Sequence, residues 1–305
     1  MSLHSTILKC LVNNRPNRAG IPAGLTRYDN IRYGKNRAWH VLDLYEPADA
    51  RSPLPVIINF HGGAWVTGKK EHSEFYCLDM ARRGFAVINF SYRLAPRYKH
   101  PAPIEDCNQV VRWVLEHAAE YGLDADSLFL VGDSAGAHNA ALYACMLTDT
   151  DFAERSGIKP VHFVPAAVCL NCGVYDLQTE LDNDSRGFMK NLMTDFLGRG
   201  YGKEQIDCAS PLYQITSAFP PTFLMSCKGD FLLRQVAPFD KRLTELGIEH
   251  ITKIYGDDDC GLSHVFHCVD IASAYAIAAN DEEAEFLKNH ASGNCQKVFR
   301  KVGVS

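Results

Sequence analysis

The chain has 305 residues, of which 47% are hydrophobic, so it is long enough to bury a full core and somewhat longer than a usual single domain. Its formal net charge of −5 at neutral pH, with no long basic run, argues against a nucleic-acid partner. No apolar stretch of the sequence approaches the ~20 residues that a membrane span needs, so we expect no membrane span.

The N-terminus and the cysteines both bear on the compartment. Residues 1–20 contain one short apolar patch, interrupted by Lys9, and no small-residue cleavage site, so we expect no signal peptide. Most of the eleven cysteines lie in apolar runs, as buried reduced thiols do, which predicts a cytoplasmic location. Cys169 and Cys172 have C-x-x-C spacing but no second pair or matching histidines, which favours core packing over a redox or metal role.

Short apolar runs alternate along the chain with longer helical patterns. The runs favour strands at 40–46, 56–60, 85–91, 127–131, 166–171, 222–227 and 250–255. Several are almost continuously apolar, which suits strands that are covered on both faces. Helical spacing of apolar residues predicts helices at 72–83, 103–120, 135–148, 234–247 and 267–279, and a final surface helix at 281–290. This order predicts an α/β fold with a mostly parallel central sheet flanked by helices.

Two segments interrupt the alternation. Residues 1–38 are polar and loop-like. Residues 178–215 contain no strand pattern but carry Phe188, Leu192 and Phe196 at helical spacing. We expect both segments to form small cap elements over one end of the sheet, within a single domain that spans residues 1–305.

A glycine pair follows the strand predicted at 56–60, in the sequence NFHGGAWVTG. Because glycine adds no side chain, such a loop brings backbone N–H groups close to a bound carbonyl group. Donors of this kind stabilise a developing oxyanion, each by a factor on the order of 10²–10³ in rate. We assign Gly63 and Ala64 as oxyanion-hole donors, and His61 and Trp65 beside them as substrate-binding residues. The alternative is a plain β-turn with a buried Trp65.

The sequence Gly132-Asp133-Ser134-Ala135-Gly136 joins the strand at 127–131 to the helix at 135–148. So tight a strand-to-helix turn strains its tip and crowds its neighbours, and the two glycines relieve that crowding. The turn lifts the serine hydroxyl above the sheet edge, beside the free N–H groups of the helix N-terminus. It therefore presents Ser134 as a nucleophile and the Ala135 N–H as a further oxyanion donor. The alternative is a glycine-rich turn with a serine N-cap.

A serine hydroxyl needs a base, and the base needs an orienting carboxylate. In hydrolases built on this turn, the chain order is serine, then an acid, then histidine. Asp230 follows a strand and is assigned as the acid, with a helix N-cap as its alternative role. Asp176 also follows a strand and is the rival candidate for the acid. His264 lies in the loop before the helix predicted near residue 267 and is assigned as the base, whereas His267 is interpreted as a first-turn helix residue.

As a set, the motifs resemble the hormone-sensitive-lipase-like branch of the α/β hydrolases, in particular the bacterial esterase and lipase group with the bifunctional feruloyl and acetyl-xylan esterases. They are His61-Gly62-Gly63-Ala64-Trp65, Ser91-Tyr92-Arg93-Leu94-Ala95-Pro96, Gly132-Asp133-Ser134-Ala135-Gly136, Ala209-Ser210-Pro211-Leu212, Pro220-Pro221-Thr222, Gly229-Asp230 and His264-Val265-Phe266. They span about residues 55–267. The resemblance implies an α/β-hydrolase fold with a cap, and a carboxylesterase with a Ser134, Asp230 and His264 triad.

Two features depart from this family pattern. Ala64 stands where the third glycine of His-Gly-Gly-Gly is usual, and the resulting His-Gly-Gly-X-Trp pattern also occurs in kynurenine formamidases. The C-terminal sequence SGNCQKVFRKVGVS, residues 292–305, matches nothing in the pattern.

The function expected from these residues is hydrolysis of short-chain acyl esters through an acyl-enzyme, with a small-molecule ester as partner and no metal or organic cofactor. An arylformamidase of the N-formylkynurenine type would use the same groups, as would an esterase for acetyl or feruloyl groups on carbohydrates. A non-catalytic binding module is disfavoured because Ser134, Asp230 and His264 are all present. An exposed edge strand would support a homodimer.

Overall fold

An eight-stranded sheet forms the centre of the structure, a computed structural model that describes residues 22–51, 53–257 and 259–292. Its strands are β1 (Leu25–Arg32), β2 (Val41–Pro47), β3 (Leu54–Phe60), β4 (Ala86–Phe90), β5 (Leu123–Asp133), β6 (Ala167–Asn171), β7 (Thr222–Cys227) and β8 (His250–Tyr255). Their order across the sheet is β1-β2-β4-β3-β5-β6-β7-β8. Only the pairs made by β2 are antiparallel; all other pairs are parallel. The predicted fold class is confirmed.

Helices cover both faces of this sheet. They are α1 (Glu74–Arg82), α2 (Ala102–Tyr121), α3 (Ala135–Thr148), α4 (Thr150–Arg155), α5 (Leu177–Asp182), α6 (Phe188–Phe196), α7 (Lys203–Cys208), α8 (Pro211–Gln214), α9 (Val236–Glu245), α10 (Phe266–Val269) and α11 (Ala274–Asn289). On one face, α2, α3 and α9 pack with Val56 and Ile58; on the other, α1 and α11 pack with Ile57. Successive residues of β3 thus enter opposite core layers, which explains its unbroken apolar run.

Residues 25–32, which the sequence pattern assigns to a loop-like cap segment at 1–38, instead form β1. This strand lies at the edge of the sheet, pairs only with β2, and is largely exposed or half-buried, so it carries no apolar run. A bulge between Tyr28 and Ile31 also breaks its alternation. Residues 1–21 of the predicted cap segment lie outside the described residues.

The C-terminal helices also differ from the prediction. The pattern predicts one helix over 267–279 and another over 281–290, whereas the structure has the short α10 followed by one continuous helix, α11. Ser273 starts α11, because its side-chain oxygen accepts the N–H of Ala276 at 3.2 Å as an N-cap. Asn280, at the predicted gap, is buried in the middle of α11, where its side chain donates to Asp79 and to the carbonyl of His267.

A buried ion pair supports the β1 edge. The Lys70 ammonium donates to the Asp43 carboxylate at 2.7 Å, and both side chains are almost fully buried. The same carboxylate accepts the Asn30 N–H at 2.7 Å and the Tyr45 hydroxyl at 2.9 Å. Since Asn30 lies in the β1 bulge with a φ of 61°, Asp43 holds the edge strand in its bulged register.

We expect Lys70→Met to lower the free energy of unfolding by about 3 kcal/mol or more, because it leaves the buried Asp43 carboxylate without a cation. The matched control is Lys69→Met, since the Lys69 side chain is 56% exposed and its loss is expected to change stability by less than about 0.5 kcal/mol. Urea denaturation of the three proteins measures the difference. Equal stability of the two variants would contradict a structural role for the pair.

Candidate active site

Ser134 occupies the tip of the turn between β5 and α3, with φ 55° and ψ −121°. Its N–H donates to the carbonyl of Asn171 at 2.9 Å, and its own carbonyl accepts the N–H of His138 at 3.1 Å. A Cβ atom at Gly136 would lie 2.0 Å from the carbonyl oxygen of Phe60, and one at Gly132 would lie 2.5 Å from the carbonyl carbon of Gly136. The two glycines are therefore required because β3, β5 and α3 approach so closely.

Three side chains that are far apart in the sequence form one hydrogen-bonded chain. His264 Nε2 lies 2.9 Å from Ser134 Oγ, and His264 Nδ1 lies 2.8 Å from Asp230 Oδ1. With neutral His264, Nδ1–H donates to the carboxylate and Nε2 accepts the serine hydroxyl proton. The structure thus brings together the three residues predicted as nucleophile, base and acid, in the arrangement that proton transfer from the serine requires.

The Asp230 carboxylate is built to remain ionised. Its side chain is buried, and it also accepts the Leu232 N–H at 2.9 Å and the Ser226 hydroxyl at 2.8 Å. Burial alone would raise the pKa of this carboxyl, but the hydrogen bonds from His264, Leu232 and Ser226 outweigh burial and hold the pKa below its usual value. The negative charge that orients His264 is therefore kept at neutral pH.

Asp176 and His267, the alternatives to Asp230 and His264, make contacts outside the hydrogen-bonded chain of Ser134. Asp176 is the N-cap of α5, where its carboxylate accepts the N–H of Gln178 at 3.0 Å and the hydroxyl of Thr179 at 2.5 Å. His267 lies in the first turn of α10 with its ring buried edge-on against Tyr76. Burial lowers the pKa of His267 to about 3, which keeps it neutral.

Phe231 is a site residue that sequence reasoning missed. Its ring lies 4.4 Å from the imidazole of His264, centroid to centroid, and 61% of the residue is exposed. An exposed phenylalanine after the acid residue carries no motif of its own, so only the folded arrangement identifies it.

The loop after β3 presents its backbone toward the serine turn. The N–H of Gly62 donates to Asp133 Oδ1 at 3.1 Å, which ties the loop to the residue before Ser134. Gly63 has φ 128°, and a Cβ there would lie 2.1 Å from the carbonyl oxygen of Thr67. Ala64 follows with φ 49°, in the left-handed region. The Gly62 N–H is thus committed within the protein, while among the described residues no acceptor takes the N–H of Gly63 or Ala64.

The two side chains predicted to bind substrate both lie in the protein interior. His61 is fully buried and stacks on Tyr92 at 4.1 Å, and burial lowers its pKa to about 4. Trp65 is 2% exposed; it donates from Nε1 to His138 Nδ1 at 3.1 Å and stacks on Phe196 at 4.6 Å. Because these rings are covered by protein, they contact the loop and its neighbours, and neither presents a free face to a ligand.

His138 connects this loop to the segment at 178–215, which is helical (α5 to α8). Its Nε2 lies 2.6 Å from the carbonyl of Ala209, so Nε2 carries the proton and Nδ1 accepts from Trp65. Burial lowers the pKa of His138 to about 4, in keeping with the neutral ring. The apolar residues of α6 join the same cluster, which comprises Trp65, Val66, Ala95, Ala135, Val174, Leu177, Leu192, Met193, Phe196, Ile206, Ala209 and Leu232.

A buried carboxyl lies behind the serine turn. Asn171, whose carbonyl accepts the Ser134 N–H, donates from its side chain to Glu283 of α11 at 2.9 Å. Glu283 also accepts the hydroxyl of Tyr76 at 2.9 Å. Burial raises the pKa of Glu283 to about 7, although these hydrogen bonds act in the opposite direction.

Comparison with known proteins places these features in a family. The family model BD-FAE matches residues 42–237. Esterase LipQ of Mycobacterium tuberculosis is 29% identical over 269 residues, covering 83% of this chain and 61% of LipQ. LipM of the same organism, a probable carboxylic ester hydrolase, is 30% identical over 278 residues, covering 87% of this chain and 62% of LipM. The chain therefore spans about three fifths of the length of these curated relatives.

A solved structure extends the similarity to nearly the whole chain. It is esterase B from Lactobacillus rhamnosis, inhibited by a C4-C4 tributyrin phosphonate. It is 25% identical, covers 96% of this chain and 94% of its own, and has a TM-score of 0.85.

Within the part of the chain that the structure describes, no helix has the length and apolar character to cross a membrane.

We expect the raised pKa of Glu283 to appear in the pH dependence of stability. The folded carboxyl has a pKa of about 7 and the unfolded one about 4.3, so folding favours the protonated form. The stabilising contribution of Glu283 to the free energy of unfolding is fully present below about pH 4 and is lost as the pH rises from there through about 7. Between about pH 5 and pH 8, the wild type should lose about 2 kcal/mol more unfolding free energy than Glu283→Gln, measured by urea denaturation.

The control for this measurement is Glu285→Gln, on the exposed side of the same helix. Between pH 5 and pH 8, Glu285→Gln should lose as much unfolding free energy as the wild type. If Glu283→Gln also follows the wild type, the buried carboxyl is not the titrating group.

Proposed function

The chain belongs to the BD-FAE family of the α/β-hydrolase esterases and lipases, and from this premise we propose that it is a serine carboxylesterase acting on short-chain acyl esters. The observation that carries the proposal is the hydrogen-bonded chain from Ser134 through His264 to Asp230, at 2.9 and 2.8 Å. Acyl transfer to a serine requires a hydroxyl that is hydrogen-bonded to a base, and a carboxylate that orients this base.

The first half of the reaction acylates the serine. Ser134 Oγ attacks the ester carbonyl carbon while His264 Nε2 takes the hydroxyl proton. The imidazolium then gives that proton to the departing alcohol, and an acyl-enzyme remains. Asp230 fixes the tautomer of His264 and stabilises the positive charge that forms on it, since its lowered pKa keeps it anionic.

The oxyanion formed in this step is held by backbone donors. We assign this role to the N–H groups of Gly63, Ala64 and Ala135. The assignment is supported by the Gly62 N–H being committed to Asp133, and by the position of Ala135 as the first residue of α3 after the serine. The rings of His61 and Trp65 then serve to hold the loop through Tyr92, His138 and Phe196.

The second half of the reaction is hydrolysis of the acyl-enzyme. His264, again neutral, takes a proton from a water molecule, which attacks the acyl carbonyl carbon. The bond between that carbon and Ser134 Oγ then breaks, the imidazolium returns its proton to Ser134 Oγ, and the acid is released. Every proton transfer uses a group already present, so the proposed reaction needs no cofactor.

The substrate class is proposed from the surroundings of the serine. The residues of α6 and their neighbours form an apolar cluster beside Ala64 and Ala135, and such a cluster suits an acyl chain. We propose that the segment 178–215, which contains α6, is the cap of a single α/β-hydrolase domain. Esterase B, with the tributyrin-derived inhibitor, gives a precedent for butyryl groups on this fold. Phe231 is exposed and its ring contacts the imidazole of His264 at 4.4 Å, so we propose that it contacts the leaving alcohol.

We expect purified protein to hydrolyse p-nitrophenyl acetate and butyrate faster than the octanoate ester, and Ser134→Ala to lose about 10⁴-fold or more in kcat. N-formylkynurenine, assayed alongside, should be turned over poorly. A wild type that ignores all three esters would overturn the proposal, and turnover of the formamide alone would show an arylformamidase.

We expect substitution of the two aspartates that follow strands, Asp230 and Asp176, to have very different effects on kcat. Asp230→Asn removes the charge that orients His264 and should lower kcat by about 10³–10⁴-fold with a small change in KM. Asp176→Asn is the matched control, because asparagine caps a helix about as well as aspartate. Its kcat should stay within a few fold of wild type, and equal losses in the two variants would contradict the assignment of the acid.

A further inference from the structure

The two cysteines of the C-x-x-C sequence face different surroundings. Cys169, within β6, packs in the core layer that contains α1 and α11. Cys172, just past the end of β6, has φ 50° and its N–H donates to the carbonyl of Met225 at 2.7 Å. Both side chains are buried, as the predicted packing role requires, but this turn also places the Cys172 thiol beside the Asp230 and His264 pair.

Three ligand-type atoms meet at this point. Cys172 Sγ, a carboxylate oxygen of Asp230 and a ring nitrogen of His264 all lie within 4.8 Å of one another. Asp230 and Cys172 are buried, and His264 is partly exposed. A thiolate, a carboxylate and an imidazole form a donor set typical of Zn²⁺ and related borderline-soft cations.

We propose that Cys172, Asp230 and His264 form an inhibitory site for a thiophilic divalent cation, Zn²⁺ or Cd²⁺. The inhibition rests on the function proposed above, whereas the binding does not. A cation held here removes the base and its orienting acid from the reaction at once, so binding and loss of turnover are the same event.

The distances suit such an ion after a small adjustment. Zn²⁺ holds sulfur at about 2.3 Å and nitrogen or oxygen at about 2.0–2.2 Å, so tetrahedral ligand atoms lie roughly 3.3–3.8 Å apart. The His264–Asp230 distance of 2.8 Å must open slightly, and no pair of the three ligand atoms is more than 4.8 Å apart. The fourth tetrahedral position is left to water, which can approach because the His264 side chain is 15% exposed.

The charges and protons also balance. A thiol without a bound cation is mostly protonated at neutral pH, since its ordinary pKa is about 8.5. A divalent cation neutralises the thiolate and the carboxylate together, and one proton passes from the thiol to solvent. The His264 proton moves from Nδ1 to Nε2, which leaves Nδ1 to bind the ion and prevents Nε2 from accepting the Ser134 proton.

The test compares the wild type with Cys172→Ser, which keeps the size of the side chain but replaces the soft ligand. Each protein is titrated with CdCl₂, ZnCl₂ and MgCl₂, and hydrolysis of p-nitrophenyl butyrate is expressed as a fraction of that protein's own metal-free rate. Cd²⁺ and Zn²⁺ should inhibit the wild type reversibly, with recovery on adding EDTA, and Cys172→Ser should need about tenfold or more metal for the same effect. Mg²⁺ should not inhibit either protein.

Cys260→Ser is the matched control, because Cys260 is more exposed and lies in the acidic loop with Asp257. It should behave as the wild type. Equal inhibition of the wild type and Cys172→Ser, or loss of inhibition in Cys260→Ser, overturns the proposed site.

Binding is also measured without reference to turnover. Equilibrium dialysis with Cd²⁺ and the ultraviolet thiolate-to-metal charge-transfer band should show one bound ion fewer in Cys172→Ser than in the wild type. If the protein hydrolyses no ester, this difference still supports the site while the proposed function fails. If the esters are hydrolysed and the difference is absent, the site fails while the function stands.

Discussion

The site depends on one close approach: the carbonyl of Phe60, at the end of β3, lies where a side chain on Gly136 would be. Because this contact admits only glycine, α3 can start directly against the sheet, and Ser134 is forced into the positive-φ conformation that raises its side chain. The Ser134 N–H reaches Asn171 on the next strand, so three adjacent strands fix the position of one hydroxyl. The groups from β7 and from the loop after β8 then meet it at the same edge of the sheet.

The central strands and the order of the site residues could be predicted because local sequence patterns indicate both. An apolar run such as 56–60 indicates a strand covered on both faces, and Gly132 to Gly136 indicates the turn without reference to the rest of the chain. The choice between Asp230 and Asp176 could not be settled this way, since both follow strands. Only the fold shows that one carboxylate meets His264 and the other caps α5.

What the sequence did not predict depends on contacts between distant segments. The edge strand β1 has too few buried residues to form an apolar run, and its register depends on the bond from Asn30 to Asp43. Phe231 carries no motif, and the C-x-x-C spacing of Cys172 does not point to this site, because the importance of both residues comes only from their distance to His264 and Asp230. The sequence analysis predicts Trp65 as a substrate-binding residue, whereas the burial of Trp65 against Phe196 depends on a helix more than a hundred residues away.

The contacts of Trp65 have a consequence for how this chain can evolve. Its indole is held by His138, one turn after Ser134, and by Phe196 of α6, while His138 also holds Ala209. A mutation that reshapes the helices around α6 is thus transmitted to the backbone beside Ala64. Under the proposed function, acyl-chain selectivity and rate acceleration are therefore coupled traits under selection. A lineage that changes the residues around α6 must at the same time preserve a partner for the indole, which limits the paths by which new specificities arise.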